Sequence, residues 1–236
     1  IDRVTKHIHE KLKASGETDR ERRCLTLIPT IENASFHLDQ DGNYWRTYIF
    51  IEKARTYDVI ETTKQASEAA RSFGEFQKSL VDLESPGLRE TIPNFHNSPK
   101  RLESFQEALK KDVKNRAITV KPEIAFIEEK ADFVNILLDL HTQGEIPYRI
   151  THNDTKLNNV MIDDETSEGI CVIDLDTVMP GLALYDFGDM VRTATSPAPE
   201  DEQDLSKVTM RMPIFEALVQ GYLSSAKDFL TPIEKS

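Results

Sequence analysis

The run Ile150-Thr151-His152-Asn153-Asp154-Thr155-Lys156-Leu157-Asn158-Asn159-Val160, with Val172-Ile173-Asp174-Leu175-Asp176 a dozen residues on, narrows the possible folds more than any other stretch. Val160-Met161-Ile162 and Ile170-Cys171-Val172-Ile173 are β-forming. The acidic stretch Asp163 to Gly169 between them is rich in turn formers, so the pair predicts a β-ribbon. In the spacing H-x-D-x-x-x-x-N the aspartate sits on a tight loop and the asparagine returns to the same side five residues later. The ribbon then brings Asp174 back beside Asn159.

That set of side chains is what phosphoryl transfer asks for. One carboxylate, Asp154, orients and deprotonates an incoming hydroxyl. Two hard oxygen ligands, Asn159 and Asp174, fix Mg²⁺ against the β- and γ-phosphates of ATP, with waters completing the shell. An isolated H-x-D is common by chance. The spaced asparagine, the ribbon and the strand-terminal aspartate together are not.

The rest of the chain is read around this centre. Val4, Ile8 and Leu12 at four-residue spacing predict an opening helix already under way, in a stretch that reads as part of a longer protein. Strands are expected at Cys24 to Ile28, Ala34 to Leu38 and Tyr44 to Ile51, the last two joined by a turn at Asp41-Gly42 and therefore antiparallel. From Thr62, the residues Ala66, Ala69, Ala70, Phe73, Phe76 and Leu80 recur at helical spacing until Ser85-Pro86-Gly87. Further helices are expected from Pro99 to about Lys114, Pro122 to about Gln143 and Asp201 to Ser225. The expected fold class is α+β, a bilobal arrangement with an incomplete small β lobe over 1–52 and a mainly helical catalytic lobe over 53–236, with a hinge at residues 51–58. Trp45 is expected in the core. The acidic runs Asp163-Asp164-Glu165 and Glu200-Asp201-Glu202 read as a solvated turn and a helix N-terminus. Asp189 and Arg192, three apart on a helix, read as an intrahelical ion pair.

Composition excludes several classes. A net charge of −12, with lysines and arginines scattered, argues against nucleic acid as partner. No apolar run is long enough to span a bilayer, so a soluble, cytoplasmic protein is expected, with no membrane partner. The two cysteines, Cys24 and Cys171, lie in apolar strand-like runs and read as packed thiols.

The motif residues resemble the aminoglycoside phosphotransferase and choline kinase superfamily, which shares the protein-kinase-like fold, over most of the chain. Thr151 to Asn159, with Val172-Ile173-Asp174-Leu175-Asp176-Thr177-Val178-Met179-Pro180-Gly181, is similar to the N-acetylhexosamine 1-kinases in particular. The resemblance implies Asp154 as catalytic base, Asn159 and Asp174 as magnesium ligands, and Asp176 as a carboxylate facing the sugar, against the plainer reading of a surface or helix-capping group. It implies a supporting role for His152, and for Asp186 as a brace of the catalytic loop from a following helix. The tripeptide Asp186-Phe187-Gly188 is not the metal-binding motif, because Asp174 already occupies that place. Adenine is expected at the backbone of Phe50, Ile51 and Glu52.

Eleven residues separate Asp174 from Asp186, too few for a segment that docks a polypeptide, so the acceptor is expected to be a small sugar or amino alcohol. An acidic site suits a neutral sugar and equally a cationic aminoglycoside or choline. No glycine-rich loop stands upstream of Thr62, so this stretch alone is expected to bind ATP weakly or not at all.

Overall fold

The computed structural model describes residues 1–84 and 87–236. The amphipathic spacing of the first residues becomes helix α1 (Asp2–Ala14), which buries Val4, Thr5 and Ile8. A single turn, α2 (Arg20–Arg23), leads to β1 (Leu27–Ile28). β2 (His37–Leu38) and β3 (Tyr44–Trp45) form the expected antiparallel hairpin, with Leu38 opposite Tyr44. Asp39 closes its turn by accepting from the N–H groups of Asp41 and Asn43, and Gly42 takes the positive φ of +83° that the turn needs. β4 (Thr47–Tyr48) pairs back onto β1, Leu27 opposite Tyr48.

The three strands expected here shrink to these two-residue ladders. Pro29 has no N–H to donate and ends β1 after Ile28, and the run from Tyr44 to Ile51 divides between two different partners, β2 and β1. Cys24 lies at the C-terminal end of α2 rather than in a strand. Trp45 is exposed, at 62%, not in the core; its indole N–H donates to Asp39 at 2.7 Å.

β5 (Ala54–Arg55) was not foreseen. It pairs antiparallel with β7 (Val160–Asp163), which pairs in turn with β8 (Gly169–Val172), so the predicted ribbon supplies the central strand and one edge of a three-stranded sheet. Helix α3 (Thr63–Ser79) opens on a capping box in which Thr62 and Gln65 satisfy each other's backbone N–H groups. Ser85 and Pro86, part of its expected stop, lie outside the described residues; the helix has ended at Ser79.

α4 (Ser98–Lys111) follows the prediction closely. The expected helix from Pro122 to Gln143 is instead α5 (Lys121–Glu129), a 3-10 turn over Ala131–Asn135, and α6 (Ile136–Thr142). Residues 128–132 carry no large apolar side chain, so no continuous buried face runs across them. After β6 (Arg149–Thr151), whose partner is β9 (Met179–Gly181), comes α7 (Ala183–Ala194). The last helix, α8 (Met212–Ala226), starts eleven residues later than the expected Asp201, with Pro213 in its first turn.

α3 and α8 cross at the centre of the molecule. A side chain on Gly221 would meet the carbonyl oxygen of Ser67, which is why the crossing takes glycine. One hydrophobic core, containing Phe73, Val160, Met190 and Leu218, joins α1, α3, the ribbon, α7 and α8. Cys24 and Cys171 are buried free thiols in it, and burial pushes the Cys24 thiol up to about 12. Among the described residues no helix is long and apolar enough to cross a membrane.

Candidate active site

The loop from His152 to Asn159 joins β6 to β7 and is anchored by side chains from remote parts of the chain. Asp186, fully buried on the first turn of α7, accepts the N–H of His152 at 2.9 Å through one carboxylate oxygen and the N–H of Asn153 at 2.7 Å through the other. Gln77 of α3 donates to the same carboxylate at 2.6 Å, and is itself held by the Tyr222 hydroxyl. Burial pushes the Asp186 carboxyl upward, against the pull of His152 and the N–H donors. Thr155 continues the anchoring: its N–H donates to Asp189 at 2.8 Å and its hydroxyl to the Asp186 carbonyl at 2.6 Å.

His152 is fully buried, edge-on to Phe73 and Phe76. Its Nε2 lies 2.8 Å from the carbonyl of Ile173, so that nitrogen carries the hydrogen and Nδ1 is left to accept the N–H of Asp154 at 3.3 Å. The Ile173 N–H in turn donates to the carbonyl of Asn159 at 2.9 Å. Both polar groups of Ile173 are therefore bound to the loop, and Asp174 is the next residue. It stands in the left-handed region at φ +57°, where the chain leaves β8 and turns into a 3-10 turn at Leu175–Thr177.

Asn159 turns its amide nitrogen to Asp154, at 2.8 Å from the carbonyl and 3.2 Å from Oδ2. Its amide oxygen is thereby left for another partner. The structure thus ties His152, Asp154, Asn159 and Asp186 into one network, with Asp174 following Ile173 at its edge. Among the described residues no three His, Cys, Asp or Glu side chains gather as a metal site by themselves. The donor set fits Mg²⁺ nevertheless, since that ion takes one or two protein oxygens and completes its octahedron with water and phosphate. Asn159 and Asp174 would hold it.

The remaining predicted site residues lie apart from this network. Asp176, half-exposed, forms an ion pair with Arg46, which also stacks over the Tyr48 ring. Ile51 is buried in the core, Phe50 is exposed, and the carbonyl of Glu52 accepts from Arg22 at 3.1 and 3.2 Å. Arg22 also reaches Asp163 at 2.8 Å, so the segment after Ile51 is tied to the far end of the ribbon. That contact corrects the reading of Asp163 as part of a solvated turn: the residue is 9% exposed, and Arg22 holds its carboxyl well below the usual range. Glu200 likewise caps no helix; it accepts from Arg192 at 2.5 Å and lies 3.5 Å from Lys156. Asp189 and Arg192 make the expected ion pair at 2.8 Å.

Sequence reasoning missed Lys156. Its ammonium forms ion pairs with Asp154 at 3.8 Å and with Glu200 at 3.5 Å. A cation two residues after Asp154 in the motif was the available signal. Gln77 and Arg46 carried none, because each acts across more than a hundred residues.

Residues 17–224 match the model of the phosphotransferase enzyme family, APH. The chain belongs to that family. Its fold is similar to a crystal structure of an aminoglycoside phosphotransferase from Alicyclobacillus acidocaldarius subsp. acidocaldarius DSM 446, with a TM-score of 0.59 and 10% identity, over 94% of this chain and 64% of that one. It is also similar to a microcompartment-associated aminopropanol kinase, with a TM-score of 0.56 and 16% identity, over 98% of this chain and 67% of that one. The chain spans about two thirds of the length of these structures. The α+β, protein-kinase-like fold expected from the motif is the fold found.

Proposed function

We propose that the protein is an ATP- and Mg²⁺-dependent small-molecule kinase, with the chain divided near residues 52 and 53 into a nucleotide-side part and a catalytic part. The observation that carries this reading is the network in which Asn159 bonds Asp154 on one side and Ile173, next to Asp174, on the other. Asp154 takes the proton from the acceptor hydroxyl as that oxygen bonds to the γ-phosphorus, whose bond to the bridging oxygen breaks and releases ADP. Asn159 and Asp174 would hold a magnesium ion, which would supply positive charge against the phosphates. Lys156, beside the base and ion-paired with Asp154 and Glu200, adds positive charge where the phosphoryl group passes. Adenine pairs with backbone groups of Phe50 to Glu52. There the Glu52 carbonyl is already bonded to Arg22, which leaves the Phe50 carbonyl and the Glu52 N–H for the base.

The acceptor in this reading is the anomeric hydroxyl of an N-acetylhexosamine. The motif similarity from Thr151 to Gly181 supports it, and Asp176, once released from Arg46, is a hydrogen-bond acceptor for sugar hydroxyls. The aminopropanol kinase and the aminoglycoside phosphotransferase of similar fold keep an amino alcohol or an aminoglycoside as the second reading.

The test is phosphate transfer from labelled ATP by the full-length protein to a panel of N-acetylhexosamines, aminoglycosides, choline and aminopropanol. Transfer to the 1-hydroxyl of an N-acetylhexosamine is expected, and Asp154→Asn should lower kcat by about 10²- to 10⁴-fold. A near-normal rate in Asp154→Asn excludes that residue as the base. Transfer to amines or other alcohols alone moves the acceptor to the second reading.

A further inference from the structure

Asn153 occupies the left-handed region at φ +67°, and its carbonyl opens the peptide unit whose nitrogen belongs to Asp154. The N–H groups on either side of that carbonyl are held by Asp186, by the His152 ring and by Asp189, all from the motif or from α7. The carbonyl itself is held from elsewhere. His96 Nε2 lies 2.9 Å from it, reaching in from the loop just before α4.

The His96 ring is fixed on two sides. Its centroid is 4.6 Å from that of Phe95 and 5.2 Å from that of Tyr185, the residue preceding Asp186 on α7. A small cavity opens beside it, bounded by His96, Asn153, Met179 and Tyr185, and among the described residues His96 is the side chain that bonds the Asn153 carbonyl. A carbonyl can only accept, so Nε2 carries the hydrogen here.

We propose that His96 is a positioning residue for Asp154. The argument is geometric and rests on the reading of Asp154 as the base. A peptide unit is planar and stiff, so fixing the oxygen of residue 153 fixes the direction of the N–H and Cα of residue 154. The α7 anchors take the N–H groups of residues 152, 153 and 155 and the Thr155 hydroxyl. The N–H of residue 154 has the longer 3.3 Å bond to the His152 ring, so turning of this plane about the Cα153–Cα154 axis is stopped chiefly by a donor on its carbonyl side. His96 is that donor. It also ties the segment leading into α4 to the loop that carries Asp154. A displacement of the base by about 1 Å costs up to roughly a hundredfold in rate without altering nucleotide binding.

Two substitutions separate the hydrogen bond from the ring packing. His96→Phe keeps an aromatic ring against Phe95 and Tyr185 and loses the donor. His96→Gln keeps an N–H donor at the same reach and loses the ring. In the full-length protein, His96→Phe is expected to lower kcat by about tenfold to a hundredfold with the KM for ATP unchanged, and His96→Gln to recover most of the rate. Amide hydrogen exchange over residues 152–155 should quicken in His96→Phe and stay near wild type in His96→Gln. A kcat for His96→Phe within about twofold of wild type, or equal losses in both variants, overturns the proposal. If the wild-type protein phosphorylates no acceptor, the kinase reading fails instead, and hydrogen exchange alone decides whether His96 holds the loop.

Discussion

In the loop that carries Asp154, four successive backbone N–H groups are taken by side chains: Asp186 for residues 152 and 153, the His152 ring for 154, and Asp189 for 155. Between Leu27 and Tyr48 the chain is held by ladders two residues long and by local turns, and Tyr44 and Trp45 lie 71% and 62% exposed. The first region commits buried charge and long-range hydrogen bonds to one backbone shape. The second keeps its register with Asp39 and a glycine and leaves its aromatic faces in solvent. A polar group buried with all its partners is costly to disturb, because removing one partner strands the others, whereas an exposed contact loses little. The loop is thus fixed as a unit and the strand segment is held piecemeal.

Substitutions sharpen that contrast. Replacing Asp186 with Ala strands two backbone N–H groups and the Gln77 amide in the core, so a loss of about 3–5 kcal/mol is expected. In a protein of this size that lowers Tm by roughly 10 °C or more, readable by calorimetry. A shift of only a degree or two would mean the loop is no more firmly anchored than the N-terminal strands.

A smaller effect is expected outside both regions, at Arg22 and Asp163, where α2 is tied to the far end of the ribbon. The Asp163 carboxyl is depressed below its ordinary value by Arg22 and by the N–H of Thr166. A depressed carboxyl contributes stability above its unfolded pKa of about 3.9, and that contribution is lost as pH falls toward the folded value. Asp163→Asn should therefore lower stability at pH 7, with the difference from wild type shrinking steadily below about pH 4. Urea unfolding at pH 7, 4 and 3 reads this directly. A pH-independent difference would assign the loss to the turn hydrogen bonds of Asp163 rather than to its charge.

The same contrast explains what the amino-acid sequence revealed. The ribbon was readable because β-branched runs flank a turn-forming stretch, and α3 because its alanines and phenylalanines recur at helical spacing behind Thr62. The residues of the H-x-D-x-x-x-x-N motif were readable because their spacing is local. What escaped depends on tertiary placement. No local pattern announces that Gln77 meets Asp186, that Arg46 reaches Asp176, or that Arg22 clamps Asp163. The strands were overdrawn because β-forming residues from Tyr44 to Ile51 say nothing of how many partners they find, and Pro29 cut the first ladder short. The broken helix between Pro122 and Gln143 was hidden by good helix formers that lack a shared buried face.

The account depends on Asn159 and Asp174 presenting oxygens to one divalent cation beside Asp154. Paramagnetic broadening by Mn²⁺ with a bound adenine nucleotide tests this most directly, read on backbone amides of the full-length protein. The amides of Asn159 and of residues 173–175 should broaden first, and Asp174→Ala should abolish the effect. Broadening centred elsewhere, or unchanged in Asp174→Ala, would contradict it.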